Sequence, residues 1–196
     1  TIDEYLVLKG FGRDSIYSMY ELSSLNYLGS FGHIESDPTG LKSSIYSGQY
    51  TQSDSGKIML VNDGIANKLY FVNIEKSLRS SNTVIDKTIQ IHPKHSLSSH
   101  LFELNDSTLI GNMGLSSLKK GRVSSLNTRT DQLTVGKLFP RIKESSSMSR
   151  NDFYRVYFDY LRMKPDKSKF ASVLFHFDRI DIFNSDLSLE KSYSKI

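Results

Sequence analysis

The chain contains no cysteine, so no disulfide can staple it and no thiolate can act as nucleophile or metal ligand. That absence fits a reducing and an oxidising compartment equally. No stretch approaches eighteen consecutive apolar residues, which argues against a membrane-spanning helix. No segment carries an i, i+3, i+4, i+7 apolar stripe over three turns, so helix should be scarce. The 25 basic and 21 acidic side chains are interspersed and leave a formal charge of +4. No basic stripe with interleaved aromatics emerges from them, and nucleic acid is not an expected partner.

What the chain does have is a strand-rich phrase that occurs four times. It runs from Asp3 to Gly32, from Ser55 to Glu75, from Asp106 to Phe139 and from Asp166 to Tyr193. Each copy gives a polar turn, an apolar strand, a short loop, a second strand, another turn and a third strand. With first strands opening at Tyr5, Lys57, Ser107 and Lys169, the intervals are 52, 50 and 62 residues. Recurrence on that scale, with four strands per repeat, is the pattern of propeller blades. The 11 Tyr and 11 Phe suit pleated surfaces, and 32 Ser suit the turns and exposed faces of a many-hairpin protein.

The reading is therefore all-β: a β-propeller of about four consecutive four-stranded antiparallel blades, over 1–31, 44–91, 98–139 and 154–196. Lys57–Val61, Lys68–Ile74, Tyr154–Leu161 and Phe170–Phe177 are nearly continuous apolar runs, as expected of strands buried on both faces. Asp54-Ser-Gly56, Asn105-Asp106 and Pro165-Asp-Lys167 are tight-turn sequences. They place the innermost strands near 44–50, 98–104 and 154–163, each entered by a longer connection. Only Thr1 and Ile2 precede the first turn, so the first phrase lacks an innermost strand. The expectation is a piece of a larger propeller; the competing one is a four-bladed ring closed by the C-terminal segment. A start at Thr1 rather than Met is expected of a processed or trimmed chain.

Few constellations carry chemistry. His92, His95 and His100 form the densest histidine group, but a loop and a strand edge would have to bring three nitrogens to one point. Loop histidines are the expected outcome, with no metal and no cofactor. Gly10-Phe-Gly12 lacks the third glycine of a dinucleotide loop, and no G-x-S-x-G occurs. Asp63, Asp152, Asp159 and Asp178 could meet as an acid/base pair, yet Asp is first of all a turn residue. Asn105-Asp-Ser107 is a glycosylation-type sequon of low specificity. Lys119, Lys120 and Arg122 are the densest basic cluster and read as a solvated loop. Tyr154, Tyr157, Phe158 and Tyr160 would share one inner strand, as interblade packing for most of them or as a sugar platform.

Leu25-Asn-Tyr-Leu-Gly-Ser-Phe-Gly32 with the following His33–Gly40 resembles a connecting corner of TolB-like six-bladed propellers of Bacteroides-type bacteria. Met163–Phe170 with Phe177–Phe183 is similar to a hairpin of that family, although Gly40-Leu41 and Lys167-Ser168 depart from its usual residues. The resemblance implies an exported protein of the periplasm, outer membrane or cell surface, with a lipid anchor through a cysteine ahead of the propeller. The motifs behind the resemblance specify no chemistry; the expected function is a non-catalytic binding or scaffold module, recognising a glycan or an envelope protein, and the alternative is a glycosidase or lyase with an axial active site. Propellers gather ligand contacts on the loops that enter inner strands and join second to third strands. Here those loops hold Arg13, His33, Asp63, Lys119, Lys120, Arg141, Arg150 and Asp178, the expected binding residues. No nucleophile, base and orienter converge among them, as catalysis would require.

Overall fold

The computed structural model describes residues 1–10, 15–32, 41, 44–95, 97–114, 121–137, 140 and 147–194, the side chains of 44, 98, 99 and 150 excepted. They form four consecutive antiparallel sheets in two compact units, Thr1–Gln90 and Ile91–Ile196. No helix among the described residues is long and apolar enough to cross a membrane.

In the first unit, β1 (Tyr5–Lys9), β2 (Tyr17–Glu21) and β3 (Tyr27–Phe31) make a sheet of three strands among the described residues, in sequence order. Ile2 folds back on Tyr5 through a pair of backbone hydrogen bonds of 2.8 and 2.9 Å. The second sheet joins β4 (Ser44–Ser53), β5 (Gly56–Asp63), β6 (Lys68–Asn73) and β7 (Ile85–Gln90), again in order. Gly56 turns β4 into β5 with φ at +119°, where a Cβ would meet the Glu75 carboxylate. The run Met59–Val61 is fully buried, consistent with a strand covered on both faces. Met59 and Val61, on one face of β5, pack with Tyr17, Met19, Phe31 and Val72 in one core, each apolar side chain worth about 1.5–3 kcal/mol on burial.

The expected third strand through Ile74 ends one residue earlier, because Asn73 caps a helix, α1 (Ile74–Ser80). Its Oδ1 accepts from the Lys76 amide at 3.0 Å, and its Nδ2 donates to Asp86 at 2.8 Å. Ser81 closes α1 in the left-handed region at φ 56°.

The second unit holds β8 (Leu97–Asn105), β9 (Thr108–Met113), β10 (Val123–Asn127) and β11 (Gln132–Val135) in one sheet. Its second sheet holds β12 (Asp159–Met163), β13 (Lys169–Leu174), β14 (Arg179–Asn184) and β15 (Leu189–Ser194). Phe170 and Phe183 are cross-strand partners with stacked rings 5.1 Å apart, and both are 1% exposed. At the β12–β13 turn Lys167 takes φ 59°, a left-handed conformation costing a non-glycine residue roughly 1–2 kcal/mol. Asp166 offsets this by accepting from the Ser168 amide at 3.0 Å and hydroxyl at 2.6 Å. Lys164 and Ser168 together hold its carboxyl well below the usual carboxylate range.

The inner strand expected over 154–163 is corrected. Arg150–Tyr157 is a helix, α2, and extended chain resumes only at Phe158. Aromatic content favours a strand here, but local capping overrides it. The Ser149 hydroxyl accepts from the Asp152 amide at 3.1 Å, and Phe153 and Tyr157, one turn apart, stack at 4.5 Å. Both rings are buried, and the Tyr157 hydroxyl donates to the Pro140 carbonyl at 2.7 Å.

Candidate functional site

Strand β12 separates two kinds of chemistry because its side chains alternate. Asp159 and Leu161 point inward at 2% and 0% exposure, while Tyr160 lies outward at 38%.

On the inward side, Asp159 belongs to a buried ion network. Arg122, just ahead of β10, donates to Asp181 of β14 at 2.7 Å and to the Ser172 hydroxyl of β13 at 3.1 Å. It lies 3.7 Å from the Asp159 carboxylate. Arg179 and Ser192 each donate to Asp181 at 2.6 Å. Ser172 and Asn112 donate to the Asp159 carboxylate, and Asn112 also bonds its carbonyl at 3.0 Å. Two guanidinium groups thus balance two carboxylates across both sheets of this unit. Burial pushes the Asp159 carboxyl up to about 6, against the pull of Arg122 and of the Ser172 and Asn112 hydrogen bonds. The same burial lowers the Arg122 pKa, opposed by Asp159 and Asp181.

Two buried carboxylates with one displaced pKa resemble an acid/base pair. Their partners argue otherwise. Each carboxylate is spent on a guanidinium and hydroxyls, and side-chain exposures of 1, 2 and 0% for Arg122, Asp159 and Asp181 leave no approach for a substrate. Nor do they line two surface cavities that described residues of this unit form. One, of about 480 Å³, lies between Thr134–Lys137 and Asp186–Leu189; the other, of about 310 Å³, lies over Arg162–Lys164 and Lys169–Ala171.

On the outward side lies an aromatic cluster. The Tyr160 ring meets Phe158 edge-on at 5.4 Å, Phe175 at 5.2 Å and the His100 imidazole at 5.0 Å. Tyr154 extends the group from α2, 5.6 Å from Phe158. Phe175, in the 3-10 turn Phe175–Phe177 after β13, is 53% exposed. His100 projects from β8 and is only 8% exposed. Its Nδ1 has no hydrogen-bond partner among the described residues, and burial, helped by Arg162, lowers its pKa.

The expected residues fall in various places. Asp63 is fully buried at the β5–β6 turn, where its Oδ1 accepts from the Ile65 and Ala66 amides at 3.0 and 2.9 Å. Asp178 is exposed in the other unit and ends a 3-10 turn at φ 44°. Arg150 opens α2, with its side chain outside the description. Arg13, His33, Lys119, Lys120 and Arg141 lie outside the described residues. Arg122 does not sit in a solvated basic loop: it is 1% exposed and ion-paired.

Of the aromatic strand candidates, Tyr157 is core, whereas Tyr154, Phe158 and Tyr160 reach the surface cluster. Phe175 and His100 complete it without any signal in local sequence. His95 is occupied by Asp131, its Nε2 lying 2.6 Å from the carboxylate. Lys94 and His95 hold Asp131 down to about 2. Among the described residues no three His, Asp or Glu side chains are grouped to hold a metal ion.

No family model and no curated protein matches the sequence. Among solved structures, a member of the DUF4221 family from Bacteroides vulgatus superposes with a TM-score of 0.56 at 13% identity, over 97% of this chain and 54% of its own. BBS1N, solved in complex with ARL6DN, gives 0.49 at 10% identity over 97% and 50%. Hsv2 from Kluyveromyces lactis gives 0.46 at 10% identity over 97% and 47%. The chain spans about half the length of each. At such identity the first of these likenesses shows the fold alone: an all-β chain of consecutive antiparallel β-propeller blades.

Proposed function

We propose that this chain is a ligand-binding or scaffold region of a TolB-like six-bladed propeller, exported to the bacterial cell envelope, and that it binds without catalysing a reaction. One observation carries the reading. The carboxylates that could act as an acid/base pair, Asp159 and Asp181, are consumed by Arg122 beneath the surface. Glycan or protein recognition needs no such pair; it needs exposed aromatic and hydrogen-bonding groups on a rigid frame.

The second reading is a glycosidase or lyase, and the raised pKa of Asp159 is what favours it. It requires Asp159 to reach a substrate, which 2% exposure opposes.

A glycan-array screen of the 196-residue chain tests the first reading. Specific retention of a glycan class is expected. Absence of any retained glycan, together with no partner recovered from outer-membrane and periplasmic fractions, would overturn it. The envelope assignment has its own test: the native protein should fractionate with the periplasm or outer membrane, and recovery in the cytoplasm contradicts it.

A further inference from the structure

We infer that Tyr160, Phe175 and Phe158, with His100 against Tyr160, form a carbohydrate subsite: the aromatic rings take the C–H face of a sugar, and a hydroxyl of the sugar bonds the His100 imidazole. This rests on the binding reading above and names its site.

Exposed aromatic rings alone would fit many partners. Here they come with a buried polar atom that has no partner among the described residues. His100 is 8% exposed, and its Nδ1 is unpartnered among the described residues. A buried donor or acceptor left unsatisfied is costly, so a ligand that supplies the missing partner gains an interaction. A purely apolar partner laid over Tyr160 would leave the nitrogen unpaired. A hydroxyl can donate or accept, and so serves either tautomer of a neutral imidazole.

The geometry of the rings limits the ligand further. Tyr160 stands at 82° to Phe158 and 84° to Phe175, so the ring planes form a corrugated surface rather than a flat patch. Such a surface suits a small puckered ring with one apolar face and a rim of hydroxyls. Two rigid supports hold it. Asp159, the residue before Tyr160, is anchored by Arg122, Ser172 and Asn112. The backbone at His100 is pressed against Gly111, where a Cβ would come 2.9 Å from the His100 carbonyl.

The test uses soluble oligosaccharides of glucose, mannose and N-acetylglucosamine, titrated into the whole chain while the His100 imidazole nitrogens and the Tyr160 and Phe175 ring signals are followed by NMR. At least one series should shift all three residues together. Tyr160→Ala and Phe175→Ala should each weaken that binding about tenfold, Tyr160→Trp should retain it, and His100→Gln should weaken it while circular dichroism stays unchanged. If the wild-type chain retains a glycan that Tyr160→Ala and Phe175→Ala bind equally well, the subsite is wrong and the binding reading stands. If the chain binds no glycan at all and a peptide instead shifts Tyr160, the carbohydrate assignment is overturned. If His100→Gln and Tyr160→Ala lose their fold, the ring and imidazole shifts in the wild-type titration decide alone: no movement at His100 overturns the proposal.

Discussion

Arg122 and Asp181 face each other at 2.7 Å with side chains 1% and 0% exposed, joining the approach to β10 with β14. A buried pair of this kind is weak evidence of net stability, because removing both charges from water costs as much as their attraction returns. Breaking it from one side is another matter. Arg122→Met leaves Asp159 buried without its cation and Asp181 with Arg179 alone. Urea unfolding at pH 7 should show a loss of about 3–5 kcal/mol. The loss should shrink toward pH 5, as Asp159 takes up a proton.

Asp159 sets a pH dependence with a definite sign. Its folded pKa, about 6, lies above the ordinary value of 3.8. Between those values the folded state holds a proton that the unfolded state has released, so this group's contribution to stability is full below about pH 4 and lost as pH rises through 6. Carbon-detected NMR should find the Asp159 carboxyl titrating near 6. Asp159→Asn should remove that part of the stability slope; an unchanged slope would contradict the assignment.

His100 acts in the opposite sense. Burial lowers its pKa below 6.5, so the unfolded state binds the proton first as pH falls. Its contribution is present above pH 6.5 and lost on acidification. The stability difference between wild type and His100→Gln, measured from pH 7.5 to 5, should narrow as pH drops.

The repeat is legible in the sequence because strand alternation and turn chemistry are local. Gly56 and Asp63 are turn residues by type and do turn work in the fold. Lys167 is a less obvious case, a lysine in a left-handed position supported by Asp166 beside it. The helix α2 is not legible from composition, since Tyr154–Phe158 reads as strand by propensity; a serine cap and one stacked aromatic pair decide otherwise. The site is harder still. Arg122 meets Ser172 and Asp181 at separations of 50 and 59 residues, and nothing near Arg122 announces a buried cation. His100 and Phe175 likewise join Tyr160 only through the fold.

The cap of α2 can be tested directly. Ser149→Ala removes the acceptor for the Asp152 amide and should cost about 1 kcal/mol. Thermal unfolding should record it as a lowered midpoint, with Ser149→Asp close to wild type.

Close packing beneath the aromatic cluster gives another prediction. A Cβ on Gly111 would stand 2.2 Å from the Leu101 Cδ2 and 2.9 Å from the His100 carbonyl. Gly111→Ala should destabilise by about 1–3 kcal/mol and move the His100 imidazole signals, because the neighbouring backbone must give way.

The central claim, that this chain binds without turning over what it binds, is tested most directly by the fate of a retained ligand. Any glycan captured on the array should be incubated with the protein for a day at pH 6 and at pH 7.5 and then weighed by mass spectrometry. Recovery at the starting mass at both pH values is the predicted result. Shortened or unsaturated products at pH 6 that vanish with Asp159→Asn would contradict it and make the buried network an active site.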